Sequence, residues 1–430
     1  MKTGLNFLIA AKRCEIAELQ QLALTSALVN VTGRLIHGLQ RERGLSNLFL
    51  ASQGEQFAGA RCKQIAECQR LDAELRSCFD TLDTEPARVG NSARLFSRIA
   101  YVLQGLDALQ GLRERVKTRA WPTRRTIDAY VRLIAGLLGV VFEAADSASD
   151  PEVSRLLVAM FNFMQAKEFA GQERAAGAGL FAAGRGHFTE QQRLLHLIES
   201  QERCLKVFNE FASAEVAALG ADNQAAPNLA ELERLRRILC TAPEAGALDT
   251  QLSQTWFDCC SRRMDRMKSV EDGLARELVQ VCEHKITAAT ADLSDYEALD
   301  TVAAREGDAL SFFQDAAPTP LAATVGAGMP GLSAPAQGYG LHLERSILEL
   351  VQDQARRLQA MGDELETVRA SLNERKVIER AKGLLMAHRH LSEDEAHKTM
   401  RQMAMSQNRR LIEVAEGVLA MAEVLPVRRP

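Results

Sequence analysis

The sequence is poor in aromatic residues, with 2 Trp, 4 Tyr and 16 Phe among 430 residues, and it contains 11 prolines. It has no uninterrupted apolar run of the roughly 18 residues that a membrane-spanning helix needs. The opening Asn6-Phe7-Leu8-Ile9-Ala10-Ala11 run stops at Lys12-Arg13 and reads as the start of a soluble helix, not as a signal peptide. Its 9 cysteines are odd in number and show no CxxC spacing, which points to reduced structural thiols in the cytoplasm. His388, His390 and His397 lack the i, i+4 arrangement with a carboxylate that a zinc helix carries. No phosphate-cradling glycine loop, nucleophile elbow or pair of catalytic carboxylates occurs either. The expectation is a protein that is not an enzyme and needs neither metal nor cofactor.

What is abundant is helix-forming material. Leu, Ala, Glu and Arg dominate, and 47% hydrophobic residues supply enough apolar mass for two or three cores, so the chain reads as all-α. Breakers are concentrated in Ala317-Pro318-Thr319-Pro320, Gly326-Ala327-Gly328-Met329-Pro330-Gly331 and Ala334-Pro335-Ala336-Gln337-Gly338, a composition that reads as a flexible tether. The chain therefore divides into an input region over 1–310, a linker over 311–342, a helix over 343–372 and an output module over 373–430.

In the output module, Val377, Ile378, Ala381, Leu384 and Leu385 recur at helical spacing and leave Arg375, Lys376, Arg380 and Lys382 for solvent. Ser392-x-x-Glu395 is a capping box for a second helix, with Ala396, Met400 and Met403 closing over the first. Ile412, Ala415, Val418 and Leu419 mark a third. From Asn373 onward, eleven Lys/Arg face eight Asp/Glu, whereas the whole chain is formally −4, so a basic module is attached to an acidic protein. Charge alone fits an ordinary solvated helix face as well as a phosphate-binding one. No Phe, Trp or Tyr follows Leu341, which removes the usual platforms for stacking single-stranded bases and favours a structured hairpin held through its phosphates and loop bases.

The ordered run Glu379-Arg380-Ala381-Lys382-Gly383-Leu384-Leu385-Met386, with Leu391-Ser392-Glu393-Asp394-Glu395-Ala396, Met400-Arg401 and Asn408-Arg409-Arg410-Leu411-Ile412-Glu413-Val414-Ala415, resembles the ANTAR family of RNA-binding antitermination modules. The resemblance implies capture of leader-mRNA hairpins, which prevents a terminator from forming and touches the transcription complex only indirectly. Arg375, Lys376, Arg380, Lys382, Arg401 and Arg409 are the expected RNA contacts. The rival assignment gives these helices a protein partner or DNA instead of RNA.

Just upstream, Ile347, Val351, Leu358, Met361, Leu365, Val368 and Leu372 follow alternating spacings of three and four, with Gln354 the polar exception. Two readings stand: a coiled-coil seam that pairs two chains as a homodimer, or an amphipathic helix packed on its own protein.

The input region contains a repeat. Glu42-Arg43-Gly44-Leu45-Ser46 through Leu50-Ala51 aligns with Glu173-Arg174-Ala175-Ala176-Gly177 through Phe181-Ala182 at an offset of 131 residues, and Leu112-Arg113 and Leu235-Arg236 form a looser pair. Gln69 and Phe79 find counterparts in Gln201 and Phe211, one residue further on. Two similar helical bundles facing one another are the simplest architecture. Together with Gln40, Gln172, Leu232-Glu233-Arg234-Leu235-Arg236, Trp256-Phe257 and Arg263-Met264-Asp265-Arg266-Met267, these segments resemble the NIT family of all-helical nitrate- and nitrite-sensing modules from about Val31 to Val281.

The chemistry suits such a ligand, because nitrate is a planar monoanion with three acceptor oxygens and guanidinium is a planar fork of donors that stays charged. Converging arginines would repel one another until the anion arrives and draws the bundles together. Arg43, Arg174 and Arg236 are the expected nitrate or nitrite ligands, with Arg113 and Arg237 as alternates. The competing assignment for any of them is a structural ion pair with Glu42, Glu173 or another carboxylate.

Overall fold

The computed structural model describes residues 4–82, 93–224, 227–303, 339–389, 391, 393–407 and 409–424. Among these residues the chain is all-α, and its backbone pairing outside helices amounts to an isolated bridge between Arg185 and Ala247. The helices are α1 (Gly4–Ala51), α2 (Ala58–Asp80), α3 (Ala93–Lys117), α4 (Thr123–Ser147), α5 (Pro151–Ala183), α6 (Phe188–Phe211), α7 (Ala214–Gln224), α8 (Pro227–Thr241), α9 (Leu252–Ala303), α10 (Tyr339–Arg389), α11 (Glu393–Gln407) and α12 (Leu411–Val424). None is long and apolar enough to cross a membrane. The tether up to Gly338 lies outside the described residues, and Tyr339 onward is already helical.

The chain forms two compact units, one from Met1–Gln20 and Glu283–Glu364, the other from Gln21–Cys282 and Leu365–Pro430. In the first, Leu5, Leu8 and Ile9 of α1 pack with Leu293 and Tyr296 of α9. Lys12 pairs with Asp292 at 3.0 Å, and Arg357 of α10 with Glu15 at 2.9 Å.

The second unit is built around α5. Asp150 caps this helix by accepting the amide of Val153 at 3.0 Å, Pro151 occupies its first turn, and Gly184 ends it in the left-handed conformation at φ +66°. A helix apolar on most of its circumference must be surrounded, and α5 is buried along nearly its whole length. Arg61 and Gln64 of α2, Arg113 of α3 and Tyr130 of α4 bond to α1, α4 also packs on α5, and residues of α6, α8 and α9 close on α5. On α9 the stripe Trp256, Cys260, Met264, Met267, Val270, Leu274, Leu278 and Cys282 is buried at three- and four-residue steps. A methyl carbon on Gly177 of α5 would lie 2.3 Å from the Trp256 ring, so these two helices meet where only glycine leaves room.

Helices α10–α12 share a core of Ala381, Met400, Ala404, Val414 and Ala415, with Val377, Ile378, Leu385, Met403, Leu411, Val418 and Leu419 around it. The third helix turns Leu411 and Val414 inward where the sequence pattern had singled out Ile412. Ser392 of the expected capping box lies outside the described residues. Of the heptad positions, Val368 and Leu372 are fully buried within this chain and Leu358 is 54% exposed. The side chains of Ile347 and Val351 lie outside the described residues. For Val368 and Leu372, packing on the same protein is therefore the observed arrangement.

Candidate functional site

The two Glu-Arg motifs divide their labour in the same way. Glu42 of α1 accepts two hydrogen bonds from Arg113 of α3, at 2.9 and 2.8 Å, and one from the Tyr130 hydroxyl at 2.7 Å. Glu173 of α5 accepts two from Arg236 of α8, both at 2.7 Å, and one from Gln201 at 2.7 Å. Burial alone would raise the Glu173 pKa, but Arg236 outweighs it and holds the carboxyl below its ordinary value. Arg236 is thus a structural partner of Glu173 and Glu233 and does not line the cavity between the repeats, and Arg113 plays the same part for Glu42. Arg237 is exposed. Gln69, the expected counterpart of Gln201, is exposed as well.

The arginine of each motif points the other way, toward the opposite copy. Arg43 and Arg174 line one small cavity with Gly44, Asn47, Ile127, Gly171, Ala175 and Phe257. Glycine makes the crossing possible on both sides. A methyl carbon on Gly44 would lie 2.8 Å from Nη2 of Arg174, and one on Gly171 would lie 2.6 Å from Nη2 of Arg43. Arg43 is 2% exposed and donates to both oxygens of Glu168, at 2.5 and 3.2 Å. Gln40 and Gln172 donate to the same carboxylate at 3.0 Å each.

Arg174 is buried without a carboxylate in reach. It donates to the Ser261 hydroxyl at 2.9 Å and to the Gln40 carbonyl at 3.4 Å, and its guanidinium lies 4.7 Å from the centre of the Phe257 ring. The Trp256 indole donates to the Arg174 carbonyl at 3.0 Å and fixes the backbone behind it. Burial, and then repulsion from Arg43, push the Arg174 pKa down to about 10. At hydrogen-bond distance the two guanidinium groups have one carboxylate between them, Glu168 on Arg43, while Asp265 acts on Arg174 only at longer range, so the pair carries an excess positive charge at close range that would suit an anion.

The cavity measures about 10 Å³, room for about one water-sized body. Beside it, a mostly apolar chamber of about 630 Å³ shares Asn47, Ile127 and Ala175 with the small cavity. Sequence reasoning found Arg43, Arg174 and the Phe257 segment. It missed Glu168, Gly171 and Ser261, because a lone Glu, Gly or Ser inside a helix carries no local pattern. The one available signal for Gly171 was its place on the face of α5 that carries Arg174, three residues on.

The basic residues of the output helices are not all turned to solvent. Arg375 donates to Asn162 of α5 at 3.1 Å and lies 4.7 Å from the centre of the Phe161 ring. Lys376 pairs with Asp146 of α4 at 2.5 Å, and Arg401 pairs with Glu199 of α6 at 2.5 Å. Arg369 donates to the Ala148 carbonyl at 3.3 Å, and His397 meets His196 with ring centres 4.9 Å apart and planes tilted by 56°. Lys382, expected at the surface, is 8% exposed and paired with Glu379 at 2.8 Å. Arg380 and Arg409 are exposed. A cleft of about 550 Å³ between α6 and α11–α12 is lined by Arg203, Arg401, Arg409 and Arg410.

The profile of the NIT family, described as nitrate and nitrite sensing, matches residues 34–279, and that of the ANTAR domain matches residues 366–419. The nitrate regulatory protein of Klebsiella oxytoca is 33% identical over 414 residues, which are 96% of this chain and 93% of that protein. The solved structure of the NasR transcription antiterminator superposes with a TM-score of 0.58 at 30% identity, covering 98% of this chain and 99% of that one. Arg43, Arg174 and the cavity between them fall inside the NIT match, and the helices α10–α12 that carry the basic residues fall inside the ANTAR match or at its edges. The chain belongs to the NIT family of nitrate- and nitrite-sensing proteins and carries an ANTAR domain behind its sensor.

Proposed function

We propose that this protein is a cytoplasmic, nitrate-responsive antitermination regulator in which an anion bound between Arg43 and Arg174 controls the access of leader-RNA hairpins to α10–α12. The observation that carries this reading is the buried pair of facing arginines of which only Arg43 has a carboxylate at hydrogen-bond distance, which leaves Arg174 without a close counter-charge and suits a monoanion. A dianion such as sulfate would overcompensate the site and meet Glu168 at close range.

The cavity between Arg43 and Arg174, about 10 Å³, is smaller than nitrate's four atoms, so binding has to open the contact between the repeats, in the opposite sense to the closure expected from arginine repulsion alone. Glu168 explains the difference, because it already holds Arg43 in place. The site and the docked output share a helix: Glu168, Gly171 and Arg174 lie on α5 about two to three and a half turns from Phe161 and Asn162, which hold Arg375. A shift of α5 is thereby felt at both ends. With Arg375 and Lys376 half-buried against the sensor and Arg401 paired with it at the surface, three of the six expected RNA contacts are engaged, which supports a masked resting state.

The test is thermal stability and RNA binding of the full chain with nitrate, nitrite, chloride and sulfate. Nitrate should stabilise the protein and promote retention of a labelled hairpin, and Arg174→Ala should lose both effects. Equal stabilisation by sulfate, or hairpin binding no better than binding of duplex DNA of equal charge, would overturn the assignment.

A further inference from the structure

Among the residues lining the arginine cavity, three have polar side chains: Arg43, Arg174 and Asn47. Asn47 follows Arg43 by four residues on α1, so the two side chains stand one turn apart on the same helix face. It is half-buried and makes no side-chain hydrogen bond among the described residues, unlike Gln40, Gln172 and Ser261, which are each bound to a neighbour. The remaining wall is apolar, formed by Ile127, Ala175, Phe257 and the two glycines. At the repeat offset, the second copy has Ala178 in the place of Asn47, so the donor is present on one side alone.

We infer that Asn47 is a specificity-determining residue that donates its amide to the third oxygen of nitrate and so discriminates nitrate from nitrite. The inference rests on the Arg43–Arg174 site proposed above. Two guanidinium forks can each take one oxygen of a planar anion. Nitrate then directs a third oxygen away from the forks, and in this cavity the free polar group is the Asn47 amide. Nitrite has no third oxygen; its nitrogen lone pair is withdrawn by one bond length and carries less charge. Because Asn47 also borders the large chamber, it stands where an entering anion passes, and its uncharged amide adds no net charge to a site already short of one negative charge.

The experiment measures nitrate and nitrite affinities calorimetrically for the wild-type full chain and for Asn47→Ala, Asn47→Gln and Arg174→Ala. Asn47→Ala removes no hydrogen bond from the ligand-free protein, and its melting temperature without ligand verifies that it folds. Nitrate affinity should fall by about tenfold or more in Asn47→Ala, while nitrite affinity changes by less than about twofold. Asn47→Gln, which keeps the amide, should recover part of the preference. Equal losses for both anions, or no loss for either, would assign Asn47 a merely structural place and overturn the inference while leaving the arginine site intact. Unchanged nitrate binding in Arg174→Ala would instead overturn the site itself and the role of Asn47 with it.

Discussion

Gly44→Ala separates the binding site from the stability of the fold. The new methyl carbon would lie 2.8 Å from Nη2 of Arg174 and 3.5 Å from its Cζ, while the next neighbour, Phe257, is 3.9 Å away. Ordinary contact needs roughly 3.5 Å, so the guanidinium must retreat by about 0.5–1 Å. That retreat is inexpensive for the fold, because Arg174 gives up a long 3.4 Å bond to the Gln40 carbonyl and no ion pair. Alanine in mid-helix also returns about 0.5–1 kcal/mol relative to glycine, which offsets a mild steric cost. The ligand-free melting temperature should therefore hardly move.

Nitrate, by contrast, loses the alignment of a charge-assisted contact worth about 1.5–3 kcal/mol, or about 10- to 150-fold in affinity. In thermal-shift terms, nitrate at a hundred times the wild-type Kd stabilises by about 2.7 kcal/mol, which drops to about 1.4 for a tenfold loss and about 0.4 for a hundredfold loss. Gly171→Ala supplies the contrast. Its methyl would lie 2.6 Å from Nη2 of Arg43, whose displacement disturbs the buried pair with Glu168, so this variant should lose stability as well as binding. Wild-type nitrate affinity in a folded Gly44→Ala protein would refute the reasoning.

Other outcomes follow from the same geometry. Arg236→Ala should destabilise the protein by about 3–5 kcal/mol by leaving Glu173 buried without its main partner, whereas Arg174→Ala should keep or raise ligand-free stability, as judged by chemical denaturation. Asp146→Ala, which frees the half-buried Lys376, should raise nitrate-independent hairpin binding about fivefold for a pair worth about 1 kcal/mol, measured by filter retention. A fragment beginning near Leu343 should bind hairpins without nitrate, and a fragment no better than the ligand-free full chain would rule out masking. Burial, then Arg203, His196, Lys382 and Arg401, push the His397 pKa down to about 3. A base with a depressed pKa stays neutral when docked, so docking is strongest above about pH 6.5 and weakens as pH falls toward 3; at pH 5.5 ligand-free hairpin binding should be about tenfold stronger than at 7.5, and His397→Gln should remove that dependence.

The sequence made the helical class legible through its periodicities, and the repeat located Arg43 and Arg174 because a Glu-Arg-small motif recurs at one offset. Its limit appears at Arg236. The same repeat that paired Leu112-Arg113 with Leu235-Arg236 contained the information that both arginines serve the motif glutamates, but nothing in one dimension tells which partner a guanidinium faces. Glu168 and Gly171 were silent for a related reason: their roles depend on α1 crossing α5, a long-range contact without a local signature. Lys376 and Arg375 were legible as cations, whereas their burial against Phe142 and Phe161 depends on tertiary docking.

The hydrogen bond from Trp256 to the Arg174 carbonyl also makes the chain its own optical reporter. Of its 2 tryptophans, Trp256 is fully buried, while Trp121 is half-buried with Arg115 and Arg125 at 5.0 and 4.2 Å from its ring centre. The two indoles should differ in emission wavelength, the buried one to the blue. Any displacement of Arg174 changes the polarity and hydrogen bonding felt by the blue component alone. In a Trp121→Phe background, the rate at which the site rearranges around an anion becomes readable by stopped-flow emission, without a label and without RNA.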